Sequence, residues 1–92
     1  GNLLFFEADM DAGVQRSMAD RGADRVTGGI CGVFSATENG YRYVCVSRSK
    51  PLRALGKEMN AALLGRGGGS DAMIQGTLGA TMEQIEAFFA QQ

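Results

Sequence analysis

Between Gly65 and Asp71 the chain reads Gly-Arg-Gly-Gly-Gly-Ser-Asp, four glycines in five residues followed by two small polar ones. Ordering glycine in regular structure costs about 1 kcal/mol per residue relative to alanine, so such a run needs a reason. It can be a flexible turn, or a nest whose backbone amides point at an anion. From the residues alone both readings stand. The familiar nucleotide signatures fit badly: a Rossmann glycine pattern follows a strand and opens a helix, whereas here a helical pattern comes first and a β-rich run follows. A Walker loop needs a lysine after its last glycine, and Ser70 stands there. The segment is expected to be a loop.

A second chemical feature precedes it. From Arg42 to Arg66 there are six basic residues, Arg42, Arg48, Lys50, Arg53, Lys57 and Arg66, against one acid, Glu58. Lys50, Arg53 and Lys57, spaced by three and four, make a basic stripe on one helical face. Such a patch can engage RNA phosphates beside loop amides. The alternative is a solvated face with incidental charge, and the net charge of −1 for the whole chain is unlike a dedicated nucleic-acid binder. Tyr41 and Tyr43 could stack on bases, although packing on the sheet is the simpler role.

Other chemistry is poorly supplied. There is no histidine, which removes the commonest general base, the usual partner of a serine or cysteine nucleophile and the commonest transition-metal ligand. Cys31 and Cys45 are the only cysteines, and two thiols do not complete a tetrahedral metal shell. Glu7, Asp9 and Asp11 flank a strand end and a helix start, where capping explains them. No catalytic residue, metal ligand or cofactor is assigned.

The elements that must position the glycine run and the basic stripe can be read in order. Leu3 to Ala8, apolar apart from Glu7, predicts a strand buried on both faces and central in its sheet. Asp11 predicts the cap of a helix on which Met10, Val14 and Met18 share a face, ended by Gly22. Ile30 to Ala36 and Tyr41 to Ser47 predict a hairpin turning on Asn39-Gly40. That register sets Phe34 opposite Cys45 and Cys31 opposite Arg48, with the thiols on opposite faces and both reduced. Pro51 predicts the start of a second helix capped by Ser49 and ended before Gly65, with Leu52, Leu55, Met59 and Leu63 on its apolar face. Ala72 to Leu78 predicts a short strand. Thr81 and Gln84 predict a capping box for a last helix that buries Met82, Ile85, Phe88 and Phe89.

The order β-α-β-β-α-β-α predicts an α/β (α+β) fold, a small mixed sheet with helices packed on it, in a single domain over residues 2–92. No stretch approaches the ~20 apolar residues of a membrane span, and a cytoplasmic protein is expected. A chain that enters a hydrophobic run at its third residue is expected to be part of something longer.

The run Gly65 to Gly76, with its glycine triplet followed by Ala72, Gln75 and Gly76, resembles the glycine-rich signature of the DHH-associated domain in its alanyl-tRNA synthetase branch. The preceding hairpin, serine-containing turn and helix, and the following strand and terminal helix, extend the resemblance over nearly the whole chain. Two positions depart from it. Synthetases usually carry a proline between triplet and glutamine, where this chain has Ser70-Asp71-Ala72, and Ile74 replaces the alanine common beside the glutamine. In the phosphoesterase branch a histidine follows the triplet; Ser70 replaces it here, and the metal-binding DHH domain is not in this sequence.

The resemblance implies an accessory tRNA-binding domain, from an alanyl-tRNA synthetase or an aminoacyl-tRNA editing protein, with no chemistry of its own. Its partner would be tRNA, alanine tRNA in particular, engaged through the parent protein, and the same family domain is linked to homodimers. Contact is expected from Arg48, Lys50, Arg53, Lys57, Arg66, Gly67, Gly68, Gly69, Ser70 and Gln75. The alternatives are an oligomerisation module and the substrate-binding half of a DHH-type phosphoesterase. Gly68→Val is expected to damage the loop severely, since a β-branched side chain is excluded wherever the backbone needs positive φ or must approach a ligand closely.

Overall fold

Side-chain alternation along the hairpin divides the core in two. The computed structural model describes residues 1–92 and contains strands β1 (Leu3–Glu7), β2 (Cys31–Thr37), β3 (Gly40–Val46), β4 (Gly65–Gly69) and β5 (Met73–Leu78). Its helices are α1 (Ala12–Ala23), α2 (Leu52–Ala62) and α3 (Met82–Ala90). The five strands form one mixed sheet in the order β1-β2-β3-β5-β4, parallel between β1 and β2 and antiparallel elsewhere. Phe34, Tyr43, Cys45, Ile74 and Leu78 face α2 and α3, burying Leu52, Met59, Ile85 and Phe89. Cys31, Val33, Val44 and Val46 face α1, burying Ala19 and Ala23. The small mixed sheet covered by helices is the expected class, with one strand more than the sequence announces.

That extra strand is the glycine run. Gly65–Gly69 is not a loop but the outer strand β4, paired with β5 in the register Gly65↔Leu78, Gly67↔Gly76 and Gly69↔Ile74. Glycines carry no side chains to alternate, so a strand made of them leaves no period to read. The opposite error concerns β1, which is an edge strand and not central. Leu4 and Phe6 pack into one cluster and Leu3 and Phe5 into the other. Cover on both faces makes its sequence continuously apolar while its outer backbone edge has no neighbour.

The hairpin turns one residue earlier than expected, on Glu38-Asn39, with Thr37 opposite Gly40. Gly40 instead opens β3 beside the end of β5, where an added Cβ would collide with the Leu78 carbonyl oxygen. Cys31 therefore faces Val46 and not Arg48, and Cys45 faces Gly32. The shift moves each pairing by two residues, which preserves the faces. Both thiols are free, buried and on opposite sides of the sheet.

The helix starts have different origins. Asp11 Oδ2 accepts from the amides of Gly13 and Val14 at 3.0 and 3.2 Å. Thr81 and Gln84 form the expected capping box, at 3.2 and 3.0 Å. Ser49 does not cap α2. The Asp71 carboxylate, from the turn between β4 and β5, accepts from the Arg53 amide at 3.1 Å, and its backbone oxygen accepts from the Leu52 amide at 3.0 Å. In α1, Gly22 lies inside the helix, where a Cβ would strike the Cys31 sulfur. Val14 is 55% exposed, because the buried face is set by Gln15, Ala19 and Gly22, and a buried glutamine does not register in an apolar pattern.

Candidate nucleic-acid interface

On α2, Arg53, Lys57 and Asn60 follow one another at spacings of four and three, and so share a face. Gly56 lies between them, with no side chain to hold the helix off the sheet; a Cβ there would come within 3.0 Å of Ile74 Cδ1. The helix therefore lies close along β4. Arg53, Lys57 and Asn60 make one wall of a groove of about 240 Å³, and Gly67, Gly68 and Gly69 make the other. No acidic residue lines it. The chain's ion pairs both belong to Arg48, so neither Arg53 nor Lys57 makes one.

The glycine wall offers backbone donors. Ser70 N donates to Met73 O at 2.8 Å, which fixes the phase of the antiparallel ladder. Hydrogen-bonded pairs alternate with non-bonded ones, so Arg66, Gly68 and Ser70 turn their amides toward β5 while Gly67 and Gly69 turn theirs outward from the edge. These two residues have φ of +158° and +152°. An added Cβ on Gly67 would lie 2.5 Å from Tyr43 Oη, and one on Gly69 would collide with Met73 O. Gly68 has ordinary φ and open space around it. The strict requirement for glycine thus falls on Gly67 and Gly69, and the expectation that Gly68→Val is harmful is reversed.

Behind this wall, Tyr43 is fully buried and its hydroxyl donates to Asn60 Oδ1 at 3.1 Å. Burial raises the phenol pKa, opposed in part by that hydrogen bond. Because the Asn60 oxygen takes the tyrosine proton, its NH₂ group is left as a donor for the groove. Tyr41 packs edge-on against Phe6 and Phe34 at 5.6 and 6.5 Å. Neither tyrosine is a platform for bases.

The residues singled out from the sequence do not form one site. Arg53, Lys57, Gly67, Gly68 and Gly69 come together in the groove. Arg48 is committed elsewhere: it bonds Asp24 at 3.1 Å and Asp20 at 2.9 Å at the end of α1, and these carboxylates raise its pKa, Asp24 foremost. Lys50 precedes α2, in a shallow recess with Arg48 and Asp71. Ser70 Oγ accepts from the Ala72 and Met73 amides at 3.2 and 3.3 Å, which fixes the β4–β5 turn. Arg66 and Gln75 point to the other face of the sheet, since their neighbours Gly67 and Ile74 face α2. Asn60 and Gly56 were missed. Their four-residue spacing was visible, but only the approach of β4 gives it meaning.

No known family model matches the sequence, and no curated protein matches it. Among solved structures, the fold is similar to that of the C-Ala domain from Aquifex aeolicus alanyl-tRNA synthetase. The TM-score is 0.76 and the identity 18%, over 97% of this chain and 87% of that one. What the two share at that identity is the fold.

Proposed function

We propose that this chain is an accessory RNA-binding domain of the C-Ala kind, from an alanyl-tRNA synthetase-like or aminoacyl-tRNA editing protein, and that the α2–β4 groove holds phosphates of tRNA. The observation that carries the reading is the groove itself: two unpaired cations, an asparagine NH₂ and the outward amides of Gly67 and Gly69 converge with no acid among them. Arg53, Lys57, the Asn60 NH₂ and the two outward amides all donate, which suits phosphate oxygens, while the carbonyl oxygens of Gly67 and Gly69 face the same open edge as acceptors. The similarity to the C-Ala domain and the glycine signature shared with DHH-associated domains support the choice of RNA, with alanine tRNA as the partner and the cytoplasm as the compartment. No helix is long and apolar enough to cross a membrane.

In this role the domain positions RNA and leaves bond-making to other domains of its parent. Arg53 and Lys57 supply long-range attraction, and the fixed amides supply register. A titration of the 92-residue chain with tRNA at increasing salt tests this directly. Affinity should fall linearly on a log–log plot, with a slope of roughly −0.7 to −0.9 per phosphate contact. Binding that ignores salt, or none at low salt, would remove the reading. The free edge of β4 also favours a second reading, assembly of two copies through the same strand. Sedimentation of the free chain separates them: under the RNA reading it is monomeric with the groove open.

A further inference from the structure

The back of the sheet, opposite the groove, holds a cation that makes no ion pair. Arg42 on β3 is half-buried. Its Nε donates to Gln15 Oε1 at 2.9 Å, and one terminal nitrogen donates to the Met10 carbonyl oxygen. Both acceptors are neutral, and Arg42 makes no ion pair. Gln15 is fully buried and is itself held by its amide group, which donates to Val33 O at 2.9 Å and Arg42 O at 2.8 Å. The guanidinium is therefore fixed in place, with three of its five N–H groups unspent. A partly desolvated charge without a counter-charge is costly, so the geometry calls for an anion.

The surroundings fit one. Arg42 opens into a recess of about 240 Å³ that also contains Arg16, Gln75 and Thr77, and no acidic residue lines it. Arg16, Gln75 and Thr77 are exposed and their side chains make no hydrogen bond within the chain. α1 covers β2 and β3 but stops short of β5 and β4, which leaves this part of the sheet open. Arg66, opposite Thr77 in the ladder, continues the same face onto β4. Beyond β4 there is no further strand, so the recess and the α2–β4 groove lie on two sides of a single edge.

We infer that Arg42, Arg16, Gln75 and Thr77 form a second phosphate site, and that one RNA backbone wraps the β4 edge, contacting the groove on one side and this recess on the other through Arg66. This rests on the RNA reading above, with phosphodiester as the ligand. Arg42 is the fixed charge, Arg16 a mobile one, and Thr77 and Gln75 supply neutral donors.

Nitrogen-15 NMR of the full chain tests it, following the Arg42 Nε–H and Gln75 side-chain signals during separate titrations with inorganic phosphate and with a tRNA. Both ligands should shift both signals in a saturable way. The double variant Arg16→Gln with Thr77→Val keeps Arg42 on Gln15. It should lose the shifts, and its log–log salt slope for tRNA should be shallower by roughly 0.7–0.9. If tRNA binds and shifts the Gly67 and Gly69 amides but leaves Arg42 and Gln75 unmoved, the second site is wrong and the groove stands. If phosphate shifts Arg42 and RNA does not, the wrapped backbone is wrong. If no tRNA binds at all, both readings fall.

Discussion

The two edges of the sheet are built on opposite principles. β1 presents Leu3, Leu4, Phe5 and Phe6 to helices on both faces, and Phe6 stacks on Phe34 at 4.9 Å. It is held by side chains. β4 has one side chain in five residues and is held by its ladder to β5 and by the close approach of α2. An edge kept by side-chain burial can be sealed with bulk, whereas an edge kept bare of side chains leaves its backbone amides reachable. Under the proposed function, β1 serves stability and β4 recognition.

The comparison breaks most severely at Gly67. Gly67→Val forces a β-branched residue into φ +158°, against Gln75 O and Tyr43 Oη, and should cost ~3 kcal/mol or more. The check is a urea melt, and a loss under ~1 kcal/mol would mean that β4 has room that the structure denies. Phe6→Ala on the other edge should cost about 2–3 kcal/mol, less than a fully buried phenylalanine because Phe6 is half-exposed. It should nevertheless leave the affinity for tRNA within twofold of wild type in buffers where the variant is folded. Weakened binding by a folded Phe6→Ala protein would erase the division of labour.

The two edges differ in legibility for the same reason. Where side chains do the holding, the sequence shows it: the two arms of the hairpin, the capping box of Thr81 and Gln84, and the apolar face of α2 all emerge as read, although the hairpin turns one residue earlier than Asn39-Gly40 announces. β1 was visible as a strand, but its cover on both faces imitates a central position. β4 was invisible because backbone pairing has no residue code beyond tolerance of glycine. The Asp71 cap on α2 and the Gln15–Arg42 pair join residues 18 and 27 positions apart, and only folding brings such groups together. Of the site, Arg53, Lys57 and the glycines were legible from type and spacing. That Arg48 is paired to Asp20 and Asp24, and that Arg66 and Gln75 lie behind the sheet, were not.

The side-chain-held half of the core can be probed by pH. Burial pushes the Cys31 thiol up to about 11 and the Cys45 thiol higher still, with further repulsion from Cys31. The unfolded thiols ionise near 9, so each folded thiol binds its proton more tightly than its unfolded counterpart. Its contribution is complete below pH 9 and is lost as pH rises from there through the folded pKa, at ~1.4 kcal/mol per pH unit for each thiol. Denaturant melts between pH 8 and 10.5 should show that decline, and Cys31→Ala should make it shallower by about one thiol's share. Constant stability over the range would mean that the thiols are exposed. The smallest effect belongs to Gly68→Val. With ordinary φ and open space, and a residue type that favours strands, it should change stability by no more than ~0.5 kcal/mol.

The central claim, that α2 and the bare edge of β4 hold RNA phosphates, is tested most directly by Arg53→Gln combined with Lys57→Gln. Both side chains are exposed and make no ion pair, so the double variant should melt with the wild type. Its affinity for tRNA, measured at two salt concentrations, should be lower at both, and the log–log slope should be shallower by roughly 1.4–1.8 for two lost contacts. A variant that melts normally, binds tRNA as tightly as wild type and keeps the same slope would show the stripe to be a solvated helix face.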